Sequence, residues 1–245
     1  MKFLKILVIG VIITGSFACK KAQLSTMDAP NDDAAIIIAE ALATNNYGAN
    51  NITKDISDNA VELANKINNF CGISLTDSVS RKSITLGANF SYNYKLNYTH
   101  KLNCNSSNLP DNITGSLTYS GKFTGPKLIS NYNGSRTYRI AGLTPAADKH
   151  VFNGEYKCYN TYKFKTDTTN KGTANIYFGV KDLVVSKLNH TIISGSAMIM
   201  VTGSSSKKAN FTYNGKLTFN ASSAILTLNG DEYHIDINSG NVVKK

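Results

Sequence analysis

Apolar and polar residues alternate along most of the chain after residue 71. In residues 90–104, apolar or aromatic side chains take nearly every even position, while Asn, Lys, Ser and Thr take the odd ones. A period of two is typical of a β-strand with one buried face. At about 3.3 Å per residue such a strand would run roughly 50 Å, so a bend or bulge inside it is expected.

The same alternation recurs in shorter segments as far as residue 237, and turn signals rich in Asn and Gly separate them. The pattern predicts about eight to ten antiparallel strands, with a two-residue hairpin at the last signal. The turn signals are Gly125-Pro126, Asn133-Gly134, Asn170-Lys171-Gly172, Gly203-Ser204-Ser205, Asn220-Ala221-Ser222 and Asn229-Gly230.

Two helices precede the strands. Asp32 and Asp33 stand before an Ala- and Ile-rich segment, Ala34–Thr44, where acids favour a helix N-terminus. A breaker at Asn45–Thr53 is followed by a second helix over Ile56–Phe70. Strands with one apolar face need a cover, which the helices can supply. The expected fold is mostly-β α+β: two N-terminal helices, then a large curved antiparallel meander forming a partial barrel or a sandwich.

The first 18 residues resemble an export signal, with a basic start, a short apolar run and small residues before Cys19. Two interpretations share the bond after Ala18. Ordinary signal peptidase would release a secreted protein, whereas a lipobox, here with Ser16 where Leu is usual, would lipidate Cys19. We favour lipidation of Cys19. The expected organisation is then a signal peptide over 1–18, a lipid-anchored tether over 19–31, a helical segment over 32–70 and a β domain over 71–245.

Acylation of Cys19 would leave three cysteines in an exported chain, where a disulfide is permitted. Three pairings are open, and we favour Cys71 with Cys104 over those that use Cys158. The chain has no Cys-x-x-Cys motif and its four histidines are scattered, so no metal site is expected.

The charge balance points away from nucleic acid. The chain has 26 Lys and Arg against 16 Asp and Glu, but the basic residues are dispersed lysines in an exported protein. The expected partners are therefore the membrane, through the lipid anchor, and a glycan, an anionic lipid or another envelope protein. The expected location is the cell envelope, with the outer membrane preferred and its face left open. No cofactor is expected.

Few residues suggest chemistry. Glu232, His234 and Asp236 share one face of the last long strand, where a solvent-facing role is favoured over a site. His100 lies on an apolar face and is interpreted as a buried neutral imidazole. Three candidate ligand-facing aromatics, alternatively plain core residues, are Tyr92, Tyr94 and Tyr98.

Two short motifs, around Ser78 and Thr168, resemble the O-glycosylation signal of Bacteroidota envelope proteins. The strands that carry Gly-Lys, and the tail formed by Phe211–Phe219 and Ala224–Ile237, are similar to those of uncharacterised Bacteroidota lipoproteins. This resemblance implies a lipid-anchored envelope protein and no specific activity. The expected function is a non-enzymatic binding or structural role, and the alternative is a carrier that holds a lipid or another apolar ligand in a curved-sheet cavity.

Overall fold

The structure is a computed structural model that describes residues 31–46, 48–66, 71–84 and 90–245. The predicted signal peptide, Cys19 and the tether up to residue 30 lie outside the described residues. The predicted tether also included Asn31, which is instead the first residue of a helix.

Two α-helices, with a short 3-10 helix over Thr44–Asn46 between them, precede eleven strands. The helices are α1 (Asn31–Leu42) and α2 (Ala49–Lys66). The strands are β1 (Ser74–Ile84), β2 (Ser91–Cys104), β3 (Pro110–Thr124), β4 (Leu128–Ala141), β5 (Lys149–Phe164), β6 (Lys171–Ser186), β7 (Ile192–Ser205), β8 (Phe211–Asn220), β9 (Ser223–Leu228), β10 (Asp231–Asp236) and β11 (Val242–Lys244).

All eleven strands form one antiparallel meander in which each strand pairs with the next along the chain. The sheet is open and curved, and its two edges are β1 and β11. The predicted mostly-β α+β class, with two N-terminal helices before an antiparallel meander, is confirmed. The strands make a single sheet, so the sandwich alternative is wrong.

Part of the strand prediction is wrong in detail. Asn133-Gly134 was expected to be a turn, but it lies in the middle of β4, paired with Tyr159 and Cys158 of β5. Glycine is required there by close approach, because a Cβ on Gly134 would lie 2.0 Å from the carbonyl oxygen of Lys157. The bend or bulge expected inside residues 90–104 is present at the end of β2, where its register with β3 shifts between Asn103 and Cys104.

The second helix begins earlier than predicted. Ala49–Thr53 was assigned to a breaker because of its asparagines, yet it forms the first turns of α2. Asn50 and Asn51 donate their side-chain amides to Thr44, so these polar groups are satisfied without interrupting the helix. The predicted end of this helix, residues 67–70, lies outside the described residues.

The core lies between the helices and the concave face of the sheet. Inward positions from β2 to β10 are buried, and the alternate positions of the same strands face solvent. Both helices lie on this inward face. Edge strand β1 differs, because nearly all its side chains are exposed on both faces. Among the described residues, no helix is both long and apolar enough to cross a membrane.

Candidate functional site

Helix α1 packs on the end of the sheet formed by β9, β10 and β11 through an apolar body. Its central residues Ile37, Ile38 and Ala39 are almost completely buried. Its N-terminal polar groups bond to the sheet: the Tyr233 hydroxyl donates to Asp32 over 2.8 Å, and the Asn170 amide donates to Asp33 over 2.8 Å. Helix α1 is therefore seated as an ordinary core element.

Helix α2 also lies on the concave face, and buried or partly buried hydrogen bonds join its described residues to the sheet. Arg136 of β4 donates from Nη1 to the Thr53 hydroxyl over 2.7 Å, and Thr53 in turn donates to the Ala49 carbonyl. Further along the helix, the Asn59 amide donates to the Tyr98 hydroxyl over 3.0 Å. The Tyr98 hydroxyl itself donates to the Asp77 carboxylate over 3.1 Å.

Ser57 lies at the centre of this set of contacts, with one imidazole on each side. Its Oγ is 2.9 Å from Nδ1 of His150 and 3.2 Å from Nδ1 of His190, whose Nε2 is 2.9 Å from the Asp58 carboxylate. These are the residue types of a nucleophile triad. Ser57 is completely buried, however, and a substrate carbonyl cannot reach a hydroxyl enclosed in this way. The arrangement joins α2 to the sheet.

Burial shifts the titration of two histidines in this region. It lowers the pKa of His150 to about 4, and Lys187 and His190 act in the same direction. Burial likewise lowers the pKa of His100 to about 4, against the smaller effect of the Asp77 charge. His100 Nδ1 is 2.7 Å from the Tyr138 hydroxyl, so His100 is the buried neutral imidazole that the sequence favoured.

The candidate aromatics lie on the concave face. Tyr94 and Tyr98 are buried there, and Tyr92 is partly buried. An aromatic row extends across the sheet from Tyr94, with ring centroids 6.3 Å apart at the first step, 5.2 Å at the second and 5.4 Å at the third. Its members are Tyr94, Tyr119, Tyr156 and Phe178. Whether these rings face a ligand stays a prediction.

Two small cavities lie between the helices and the sheet, each of about 20 Å³. We call the first the Arg136 cavity; besides Arg136, Thr53 and Asn50 it is lined mainly by apolar groups, including Phe178, Leu183 and Phe219. We call the second the Asn160 cavity; Glu40, Ser130, Tyr132, Cys158 and Asn160 are among its lining residues. Each has room for about one water molecule.

A larger polar cavity of about 290 Å³ opens at the rim of the sheet. We call it the rim cavity. It lies between the first half of α2 and the turns that follow β6, β8 and β10, and its walls carry mainly amides and hydroxyls together with Lys54 and His190. Asn50, Ile192 and Ile237 line both the rim cavity and the Arg136 cavity, so the polar opening adjoins the apolar interior.

Several polar atoms buried on the concave face have no hydrogen-bond partner among the described residues. They are Nε2 of His100, Oγ of Ser130, Nε of Arg136 and Oδ1 of Asn160. Buried polar atoms are nearly always paired in folded proteins. The helices therefore cover this face without matching all of its polar groups.

The acidic and imidazole groups of β10 serve local structure. Glu232 pairs with Lys245 over 2.7 Å, and Asp236 accepts the backbone N–H groups of Asn238 and Ser239 in the turn that follows. His234 is exposed on the outer face. This is the solvent-facing role that the sequence favoured. Among the described residues, no cluster of three His, Cys, Asp or Glu could hold a metal ion.

Cys71 and Cys104 form a disulfide, the pairing that the sequence favoured, and Cys158 is a buried free thiol. The bond attaches the segment that follows α2 to the end of β2. Ser78 on β1 and Thr168 in the turn after β5 are both exposed, which leaves the glycosylation motifs accessible. Their modification stays a prediction.

Sequence reasoning missed Arg136, His150, Thr53 and Ser57. Arg136 was hidden because Asn133-Gly134 was assigned to a turn, which removed β4 from the predicted sheet. The signal was nevertheless present, since Arg136, Tyr138 and Ile140 alternate at inward positions.

No protein-family model matches the chain, and comparisons with curated proteins and with solved structures found no match.

Proposed function

We propose that the protein is a lipid-anchored, non-enzymatic binding protein of the cell envelope, whose ligand is an apolar molecule held on the concave face of the sheet. The sequence before Cys19 supports the anchor. Aromatic and aliphatic side chains on the inward positions from β2 to β10 support the binding role.

The observation that carries the proposal is the poor polar match between the concave face and its cover. Four buried polar atoms on the sheet, in His100, Ser130, Arg136 and Asn160, find no partner among the described residues of the helices. Leaving such an atom unpaired costs about 1–3 kcal/mol. A face shaped only to hold these two helices would have no reason to retain all four.

The way α2 is attached supports the same conclusion. Its described contacts with the sheet include hydrogen bonds through Thr53, Ser57 and Asn59. Water can replace such bonds when a helix lifts, so each contributes only about 0.5–1.5 kcal/mol net. Helix α2 is thus a cover that can open at moderate cost.

A ligand must displace α2, because the two small cavities are far below the roughly 300 Å³ of a typical ligand pocket. Lifting α2 would free the space that Ile52, Ile56 and Ala60 now fill. The ligand would then occupy the apolar face that the buried side of α2 covers in the absence of ligand. The rim cavity adjoins this space and provides the route inward.

The test is a native mass spectrum of the protein taken from its own membrane. We expect acyl chains on Cys19 and a further noncovalent mass of lipid size. An acylated protein without any co-purified mass, which also fails to bind dodecanol, would contradict the binding proposal. A bare polypeptide that begins at Cys19 would contradict the anchor.

A matched pair of variants places the ligand. Ala197→Leu adds volume beside the Arg136 cavity, where Ala197 is buried, and should reduce the bound mass. Met198→Leu changes the next residue of β7, which is exposed on the outer face, and should leave the bound mass unchanged. Equal loss in both variants would argue against the concave face.

A further inference from the structure

Arg136 is a buried cation on an otherwise aromatic and aliphatic face. It occupies an inward position of β4, opposite Leu117 of β3 and Tyr156 of β5, and only 3% of its surface is exposed. Burial lowers its pKa. A guanidinium starts from a pKa above 12, so it keeps its charge at neutral pH.

No described carboxylate pairs with this charge. Nη1 donates to the neutral Thr53 hydroxyl, Nε has no partner in the part of the chain that the structure describes, and the guanidinium carbon lies 6.0 Å from the centre of the Phe152 ring. The groups that act on it electrostatically are the tyrosine hydroxyls, those of Tyr138 and Tyr156 first among them. Burying an unpaired charge costs several kcal/mol. An anion bound at this site would offset that cost.

The surroundings of the guanidinium define what kind of anion fits. The Arg136 cavity is bounded by apolar side chains such as Phe178, Leu183 and Phe219. A small hydrated ion gains nothing from such walls, whereas an anion attached to an apolar chain satisfies both the charge and the walls.

We propose that Arg136 binds the anionic headgroup of an amphipathic ligand, a carboxylate or a phosphate monoester on an apolar chain. This inference rests on the proposed binding function and names the ligand class. The anion takes the place that the Thr53 hydroxyl holds in the covered state. Because Thr53 belongs to α2, headgroup binding and release of the cover are coupled through this one contact.

The test uses the full chain with Cys19→Ser, so that no attached acyl chain competes, and compares dodecanoate, dodecyl phosphate and dodecanol by native mass spectrometry. We expect at least one of the two anions to bind tenfold or more tightly than the alcohol. Which anion binds better distinguishes the carboxylate from the phosphate. Equal binding of all three probes would overturn the inference and leave the proposed function intact. Failure of all three, dodecanol included, would overturn both.

Two arginines of β4 allow a test of whether the anion preference depends on Arg136. Arg136→Met should abolish the preference for the anion while dodecanol still binds. Arg139→Met is the control, because Arg139 lies on the outer face of β4, half exposed and 3.7 Å from Asp111. Arg136→Lys keeps the charge but loses the forked geometry, so it should retain a weaker preference. A preference that persists in Arg136→Met would overturn the assignment.

Thr53→Val should change the anion affinity in the opposite direction to Arg136→Met. It removes the partner that holds Arg136 in the covered state, so the anions should bind several-fold more tightly, whereas dodecanol should gain less. Thr118→Val makes the same change on the outer face of β3, where Thr118 is exposed, and should alter neither affinity. Anion affinity that falls in Thr53→Val would show that Thr53 helps to hold the ligand and would contradict the exchange.

Discussion

The two helices cover the same sheet in different ways. Helix α1 buries seven of its twelve residues, nearly all of them apolar, and its polar contacts are confined to its ends. Helix α2 buries Thr53 and Ser57 beside Ile52 and Ile56, and its hydrogen bonds to the sheet run along its body.

The contrast is between a helix held mainly by apolar packing and a helix held partly by hydrogen bonds. Apolar packing is lost completely when a helix lifts into water, whereas hydrogen bonds are exchanged for others. The described part of α2 buries fewer apolar residues than α1, so we expect α2 to lift more readily than α1. The unpaired nitrogen of Arg136 lies beneath the second helix.

The largest expected effect comes from the core of α1. Ile38→Ala removes a completely buried side chain and should lower the free energy of unfolding by about 2–5 kcal/mol in urea titrations. Ile36→Ala, at a partly buried position of the same helix, should cost clearly less. Ile56→Ala in α2 should act mainly by increasing hydrogen exchange of α2. A global loss for Ile56→Ala equal to that for Ile38→Ala would remove the contrast between the helices.

The next effect concerns the disulfide that follows α2. Replacing both Cys71 and Cys104 with Ser opens a link between positions 33 residues apart, and chain entropy predicts a loss of about 3–4 kcal/mol. Calorimetry of the variant and the parent chain measures it. The link joins the segment after α2 to β2. The free energy of anion binding should therefore decrease by less than the free energy of unfolding. Complete loss of binding with the fold intact would show that the disulfide shapes the site itself.

Acid should destabilise the attachment of α2 and its surroundings. The pKa values of His100 and His150 are lowered to about 4, so the unfolded chain, with histidines near 6.5, binds more protons between these values. Their contribution is present above pH 6.5 and is lost as the pH falls toward 4, on the order of 1 kcal/mol for each histidine per pH unit.

Urea unfolding at pH 7.5, 5.5 and 4.5 checks this, with His150→Asn expected to flatten the profile. The exposed His234 offers the control, since His234→Asn should leave the profile unchanged. An unaltered profile in His150→Asn would mean that other groups carry the acid sensitivity.

The smallest effect is local. Thr53→Val removes the hydroxyl that accepts from Arg136 and should lower the free energy of opening α2 by about 1–2 kcal/mol, with amide exchange in α2 roughly tenfold faster or more. Exchange in α1 should not change. Equal acceleration of exchange in both helices would mean that the cover opens as one unit.

Sequence patterns could predict the class of the fold because strands with one buried face show an apolar residue at every second position. Strand β1 was not predicted because charged residues interrupt the apolar alternation. Asp77 and Arg81 occupy the positions that pair with Tyr98 and Tyr94 of β2. Strand β4 escaped because Asn133-Gly134 has the composition of a turn. Only the contact of Gly134 with the neighbouring strand explains the glycine.

The candidate site was harder to predict, because it depends on pairs that lie far apart in the chain. Thr53 and Arg136 are 83 residues apart, and Ser57 and His150 are 93 apart. A buried arginine and a solvent-exposed arginine look alike in a sequence. What distinguishes Arg136 from Arg139 is the face of β4 on which each lies, and that follows from the register of the whole sheet.

The meander also sets an order of events for a chain that leaves its site of synthesis from the N-terminus. Each strand pairs with the one made just before it, so the sheet can grow by adding one strand at a time. The helices are made before the eleven strands, but Asp32 must wait for Tyr233, which follows 201 residues later. Helix α1 is therefore made before the strands but reaches its final place after most of them. Until then the part of the concave face that α1 covers stays open.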